Sequence, residues 1–148
     1  MLGSVREWVE TTSAVGRRLT DVVVGWHEHG EKRSPVLLFL AFDGQWLEVC
    51  TTGAGSLRFA RTDEPAGFDM DQYGRFVMVA ADDAHPAHQL VGSVVERVHP
   101  VVRGRTEIGV VLEGETARVL LLSDWDEVWV SAGDLPLHGY DDAVVVRA

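Results

Sequence analysis

Two histidines separated by two residues, His85 and His88, follow the aspartates Asp82 and Asp83. On a helix, the i, i+3 spacing would place both imidazoles on one side, and imidazole and carboxylate groups are ligands for zinc. This stretch is therefore the candidate site of a small metal-dependent or ligand-binding enzyme. Asp83 is equally suited to cap a short helix starting near Pro86, because proline is tolerated in a first helical turn. The capping interpretation is preferred, so neither a metal nor another cofactor is expected.

A second histidine pair, His27 and His29, alternates within a polar stretch and would lie on one face if that stretch were a strand. The glycines and charged residues of the segment 25–32 favour a solvated hairpin loop instead. The single cysteine, Cys50, alternates with Leu47 and Val49 and is predicted to be a core residue. A chain with one cysteine has no intramolecular disulfide, which is typical of a reducing compartment.

Motifs for nucleophilic catalysis and phosphate binding are missing from the sequence. The serines lie in no Gly-x-Ser-x-Gly elbow. The segment 52–56 contains Gly-x-Gly but lacks the third glycine of a dinucleotide-binding loop. The chain is therefore predicted not to be an enzyme.

Aromatic residues within an acidic run form the strongest candidate for a binding surface. Tryptophan is enriched at the centres of protein interfaces, and acidic residues can steer a basic partner toward them. The alternative role for the tryptophans is to seal a contact between two halves of the molecule. The predicted partner-binding residues are Asp124, Trp125, Asp126, Glu127, Trp129, Asp141 and Asp142.

The net charge is −10, and residues 61–148 contain 16 acidic and 7 basic side chains. This balance argues against nucleic-acid binding, which normally requires a basic face. No window has the eighteen or so apolar residues of a membrane span. Charge and size instead fit a non-catalytic module that binds a basic protein, such as an immunity or antitoxin-like inhibitor of a basic toxin or nuclease. Without a signal-peptide pattern, a cytoplasmic location is expected.

The two halves of the chain resemble each other, which predicts an internal repeat. Five short matches occur in the same order, at offsets that drift between 67 and 76 residues. The first aligns Gly16 with Gly92, and the last aligns Tyr73 with Tyr140. Repeat one is predicted to span residues 1–80 and repeat two residues 81–148, within a single compact domain of residues 1–148.

Hydrophobic periodicity predicts the elements of each repeat. Ser4 and Glu7 have the spacing of a capping box, followed by Val5, Trp8 and Val9 at helical positions. Alternating apolar residues then predict about five strands per repeat, and Asp43-Gly44 predicts a tight hairpin turn. The predicted fold class is mostly β (α+β), with two twisted five-stranded antiparallel sheets or small barrels packed with pseudo-two-fold symmetry. A structural protein that forms a homo-oligomer through exposed strand edges is a further alternative, and a homodimer is compatible with this fold.

Overall fold

The computed structural model describes residues 7–124, 127–136 and 139–147. These residues form two antiparallel sheets, of seven and five strands, so the predicted mostly-β, two-sheet architecture is confirmed. The strands are β1 (Glu7–Val9), β2 (Leu19–His29), β3 (Lys32–Phe42), β4 (Gln45–Thr51), β5 (Leu57–Thr62), β6 (Phe68–Asp69), β7 (Arg75–Ala80), β8 (Arg97–Arg103), β9 (Thr106–Glu113), β10 (Arg118–Asp124), β11 (Glu127–Ser131) and β12 (Ala143–Val145). Three short 3₁₀ helices are η1 (Thr11–Ala14), η2 (Asp71–Tyr73) and η3 (Pro86–Leu90).

Each sheet contains a four-stranded meander whose first strand also pairs with a fifth strand. In the seven-stranded sheet the order is β1-β5-β4-β3-β2-β7-β6, and in the five-stranded sheet it is β11-β10-β9-β8-β12. The strands β2, β3, β4, β5 and β7 therefore follow the same order as β8, β9, β10, β11 and β12. The first sheet has seven strands rather than the predicted five because β1 and β6 extend its two edges.

The predicted N-terminal helix is wrong. Residues Glu7–Val9 form β1, which pairs with β5 through Trp8 opposite Ala60 and Val9 opposite Phe59. The open edge of β5 supplies backbone hydrogen-bond partners that a helical turn at this point would forgo. Only η1 precedes Gly16 as a helical element among the described residues, and Ser4 of the proposed capping box lies outside them.

A large core fills the space between the two sheets. Alternate residues of the central strands point into it, as the period of two requires. Leu40 and Leu47 enter from the first sheet and Leu112 and Leu121 from the second, all at most 3% exposed. This inter-sheet core belongs to both sheets, so neither sheet buries its inner face without the other.

The chain reverses between β3 and β4 as the sequence predicts. Asp43 and Gly44 have φ of 49° and 85°, the left-handed values that a primed two-residue turn requires. The corresponding Glu113-Gly114 does not form such a turn, because β9 and β10 are joined by a four-residue loop closed by the Gly114 N–H donating to the Ala117 carbonyl at 2.8 Å.

The seven-stranded sheet is not flat. Five strand spacings separate β5 from β6, or about 24 Å in a flat sheet. The segment that joins Thr62 to Phe68 reaches only about 22 Å when fully extended. The two ends of the sheet must therefore approach each other, which agrees with the burial of Phe39 and Ala60 on the face turned away from the inter-sheet core.

The sheets are also joined where two glycine-led segments cross. The Gly16 N–H donates to the Val95 carbonyl at 2.8 Å, and the Gly92 N–H donates to the Leu19 carbonyl at 2.7 Å. Each segment is preceded by a 3₁₀ helix that packs on the other sheet, η1 on β8 and η3 on β2. The crossing thus fixes the position of one sheet relative to the other.

Candidate functional site

The predicted binding residues lie at one end of the five-stranded sheet. Asp124 is the last residue of β10 and pairs in register with Glu127, the first residue of β11. Trp125 and Asp126 between them lie outside the described residues. Asp141 and Asp142 follow on the connection between β11 and β12. Asp124 is half-buried, whereas the other three carboxylates are exposed.

Tyr140 brings these two acidic stretches together. Its hydroxyl lies 3.4 Å from the Ser123 carbonyl oxygen and 3.4 Å from Asp124 Oδ1, so its single proton is shared between two acceptors at the end of β10. Tyr140 directly precedes Asp141 and Asp142, so its hydroxyl connects the loop that carries them to the end of β10. Asp124, Glu127, Asp141 and Asp142 are called the acidic surface below.

Arg103, at the end of β8, fixes the loop that carries two of these carboxylates. Its Nε donates to Asp142 Oδ1 at 3.0 Å, and its Nη2 donates to the Gly139 carbonyl at 2.6 Å. The guanidinium also lies 4.8 Å from the centroid of the Tyr140 ring, within the range of a cation–π contact. Arg103 thus neutralises Asp142, while no ion pair among the described residues joins Asp124, Glu127 or Asp141.

The Tyr140 phenol is held in its protonated form. Burial raises its pKa above the usual 10.0, the nearby Asp124 carboxylate raises it further, and Arg103 opposes both effects. A protonated phenol donates to Asp124, whereas a phenolate beside that carboxylate would repel it. The link between the two acidic stretches therefore persists throughout the neutral pH range.

Behind the acidic surface lies a second apolar cluster, on the face of the five-stranded sheet opposite the inter-sheet core. Trp129 is half-buried and packs on this outer cluster together with Tyr140 and Leu135. The tryptophan lies opposite Leu122 in the ladder and so points away from the inter-sheet core. Trp129 therefore does not seal the contact between the two halves, but packs in a second layer on the outer face. The outer cluster consists of Val101, Ile108, Val111, Leu120 and Leu122.

Sequence reasoning missed Tyr140 and Arg103, although they connect the predicted residues. The signal available for Tyr140 was an aromatic residue directly before two aspartates. For Arg103 there was none, because its partners lie 36 to 39 residues away in the chain.

The histidine and aspartate cluster is not assembled as a metal site. His85 is the N-cap of η3, with its Nδ1 accepting the Ala87 N–H at 3.1 Å, so Asp83 does not have the predicted capping role. Asp82 Oδ1 accepts the Ala84 N–H at 3.0 Å. Burial lowers the pKa of His85; Asp82 raises it and His88 lowers it further. Within the part of the chain that the structure describes, no group of three or more His, Cys, Asp or Glu side chains could hold a metal ion.

His27 and His29 belong to strand β2 rather than to the predicted loop, because β2 and β3 continue as paired strands to the turn at Gly30. Nε2 of His27 lies 2.7 Å from the Tyr73 carbonyl oxygen, and Nε2 of His29 lies 2.9 Å from that of Gln72. With Nε2–H as donor, each imidazole satisfies a carbonyl of η2. The pair therefore attaches η2 to β2.

Cys50 lies on β4 and is 9% exposed, as predicted for a core residue. Its thiol donates to Glu48 Oε2 at 3.0 Å. Both side chains border a cavity of ≈ 220 Å³ at the point where β3 and β4 separate, beyond the pair Leu38–Val49. The cavity is open to solvent, and four of its seven lining residues are aliphatic.

Among the described helices, none has the length and apolar character needed to cross a membrane. Comparison with protein-family models, with curated proteins and with solved structures gives no match.

Proposed function

We propose that this protein is a non-catalytic binding module whose acidic surface engages a basic protein. The observation that carries the proposal is the bridge from Tyr140 to Asp124, which joins two acidic segments separated in sequence into one surface. The carboxylates of Glu127 and Asp141 are exposed there and form no ion pair with a described residue. They are free to interact with the cations of a partner.

The support beneath this surface favours binding over a solvated loop. Tyr140 and Trp129 pack on the outer cluster, and Arg103 holds the loop at Gly139 and Asp142. Because these contacts fix the strand and the loop that carry the carboxylates before a partner arrives, less conformational entropy is lost on binding. A preformed acidic surface also accelerates encounter with a positively charged protein.

The class of partner follows from charge. At a net charge of −10 the whole molecule attracts cations over a distance comparable to the Debye length, about 8 Å at physiological ionic strength. A basic toxin or nuclease has the complementary charge, and blocking its nucleic-acid-binding face would inhibit it. We therefore place the protein among immunity or antitoxin-like inhibitors that act in the cytoplasm. The metal-dependent alternative at His85 and His88 has less support, because His85 Nδ1 already accepts the Ala87 N–H.

The test is capture from the native lysate at low and at high salt, with a charge-matched pair of variants. Glu127→Gln combined with Asp141→Asn removes two charges from the acidic surface. Asp63→Asn combined with Glu64→Gln removes two exposed charges elsewhere. We expect the wild type and the control variant to retain a stoichiometric basic protein that elutes at high salt, and the acidic-surface variant to lose it. Equal retention by both variants, or retention that ignores salt, would refute the proposal.

We also infer that the chain arose by duplication of one unit. Two further backbone bonds at the crossing, from the Leu19 N–H to the Ser93 carbonyl at 3.0 Å and from the Val95 N–H to the Arg17 carbonyl at 2.9 Å, support this inference. The donors of these two bonds are 76 residues apart in the chain, and so are their acceptors. The same offset relates the donors and the acceptors of the Gly16 and Gly92 bonds. The shared strand order points the same way.

A further inference from the structure

Strand β12 is the last strand of the five-stranded sheet, and its outer edge is open among the described residues. It pairs on one side with β8, with Val144 opposite Val102 and Val145 opposite Val101. The segment 143–146 contains no charged residue, no proline and no glycine. Natural edge strands usually carry such residues, which block the addition of another strand.

The backbone groups that point outward from β12 can be assigned from the ladder. The Val146 N–H donates to the Pro100 carbonyl at 2.8 Å, so the backbone N–H and C=O of Val146 point toward β8. Because the direction of the backbone N–H and C=O groups alternates along an antiparallel strand, those of Val144 also point toward β8. The backbone groups of Ala143, Val145 and Arg147 point toward the open edge. The Ala143 N–H already donates to the Tyr140 carbonyl. Two N–H donors, of Val145 and Arg147, and three carbonyl acceptors, of Ala143, Val145 and Arg147, remain directed outward.

The seven-stranded sheet shows what occupies the equivalent edge. Strand β7 takes the same place beside β2 as β12 takes beside β8. Its outer edge is covered by β6, with Phe68 opposite Phe76 and Asp69 opposite Arg75 in an antiparallel ladder. The chain thus supplies a strand to this edge in one sheet, whereas no described strand does so in the other.

We propose that β12 pairs antiparallel with β12 of a second copy of this chain, about a two-fold axis at Val145. In this register the Val145 N–H donates to the Val145 carbonyl of the second copy, and the Arg147 N–H donates to the Ala143 carbonyl there. The two-fold axis generates an equivalent bond from the second copy to the first for each of these two bonds. All four outward N–H donors of the two strands therefore have acceptors. The two sheets become one ten-stranded sheet.

Side chains favour a second copy over an unrelated strand, because the edge is complementary to itself. Val144 and Val146 are 58% and 44% exposed in the single chain. The same register places Val144 directly opposite Val146 of the second copy, in a non-hydrogen-bonded pair where side chains approach most closely.

Sedimentation equilibrium over a range of protein concentrations tests the proposal. We expect the wild-type chain to show reversible association to twice its mass. Val144→Lys replaces an exposed valine with a longer, positively charged side chain and sets its cation against Val146 of the second copy. Val145→Pro removes an outward N–H without removing a bond to β8, so the monomer retains its ladder. Each variant should weaken the dimer by at least about tenfold, as expected when two hydrogen bonds or two apolar contacts are lost across the axis.

Val15→Lys is the matched control, because it adds the same charge at a valine that is 47% exposed and lies outside every strand. It should associate like the wild type. Hydrogen exchange supplies a second readout, in which the Val145 and Arg147 amides become protected as concentration rises. A wild-type chain that stays monomeric at all concentrations would refute the proposal. A dimer insensitive to both β12 variants, or one that forms without protecting these two amides, would refute it as well.

Discussion

Tyr140 is the residue on which the candidate site depends, and its ionisation can be isolated. The chain has two tyrosines, so Tyr73→Phe leaves Tyr140 as the only phenol. Burial first, and Asp124 second, raise the pKa of Tyr140, so we expect its ultraviolet titration to have a midpoint above 10.0. Asp124→Asn in the same background should lower that midpoint. A midpoint at or below 10.0 would contradict the proposed contact between the phenol and the carboxylate.

The sign of the effect on stability follows from the same shift. As pH rises above about 10, the unfolded chain releases the phenol proton before the native chain does. The free energy of unfolding should therefore fall as pH rises through the raised pKa. The stabilisation that the Tyr140 phenol contributes is fully present below pH 10. Tyr140→Phe should remove this part of the pH dependence, which urea unfolding at several alkaline pH values measures.

For individual residues, the sequence predicted which ones belong to the candidate site better than it predicted the contacts between them. Asp124 and Glu127 stand out because they flank Trp125, and Asp141 and Asp142 stand out as a pair of adjacent aspartates. Their meeting through Tyr140 depends on a contact across 16 residues, and the neutralisation of Asp142 depends on one across 39. Local sequence patterns contain no information on contacts between residues so far apart in the chain. Which of the four carboxylates lack an ion pair could therefore not be predicted.

Elements were predictable where one local signal dominated. Asp43-Gly44 forms the expected turn because few residues other than glycine accept its positive φ. The spacing of Val5, Trp8 and Val9 in the sequence is that of a helix. In a stretch this short, however, the available backbone hydrogen-bond partners determine the secondary structure. Strand β5 offers those partners, and Glu7–Val9 joins it as a strand. The edge strands β1 and β6 were missed for the same reason.

Gly109 in β9 shows how closely two strands of the second sheet approach. A Cβ at this position would lie 2.5 Å from the Leu121 carbonyl oxygen and 2.9 Å from Leu122 Cδ1. Gly109→Ala should therefore separate β9 from β10 and lower the free energy of unfolding by about 1–3 kcal/mol, the usual cost of overpacking a core. Urea unfolding measures this loss.

Gly53→Ala is its control, since nothing lies within 4 Å of a Cβ there and its φ is not in the left-handed region. A surface change of this kind should alter stability by less than about 0.5 kcal/mol. Equal effects of the two substitutions would show that general glycine propensity, rather than the contact with Leu121, determines the result.

For the whole molecule, the decisive feature is that both sheets bury their inner faces in one core. Residues 1–80 contain 11 acidic and 8 basic side chains and residues 81–148 contain 12 acidic and 5 basic ones, yet Leu40 of the first sheet and Leu121 of the second belong to the same cluster. The crossing of Gly16 and Gly92 adds backbone bonds between them. Independent unfolding of either half would expose half of this core to water, so one cooperative transition is expected.

Leu121→Ala tests that cooperativity. Leu121 is fully buried (0% exposed), and its truncation should lower the free energy of unfolding by about 2–5 kcal/mol. If the sheets unfold together, native-state hydrogen exchange should show the same loss of protection for the slow amides of β3 in the first sheet as for those of β10 in the second. Glu115→Ala, at an exposed position in the loop after β9, should leave both sets unchanged. Loss of protection confined to β10 and its neighbours would mean that the first sheet is stable alone, and that the inter-sheet core is a contact between two separately folded units.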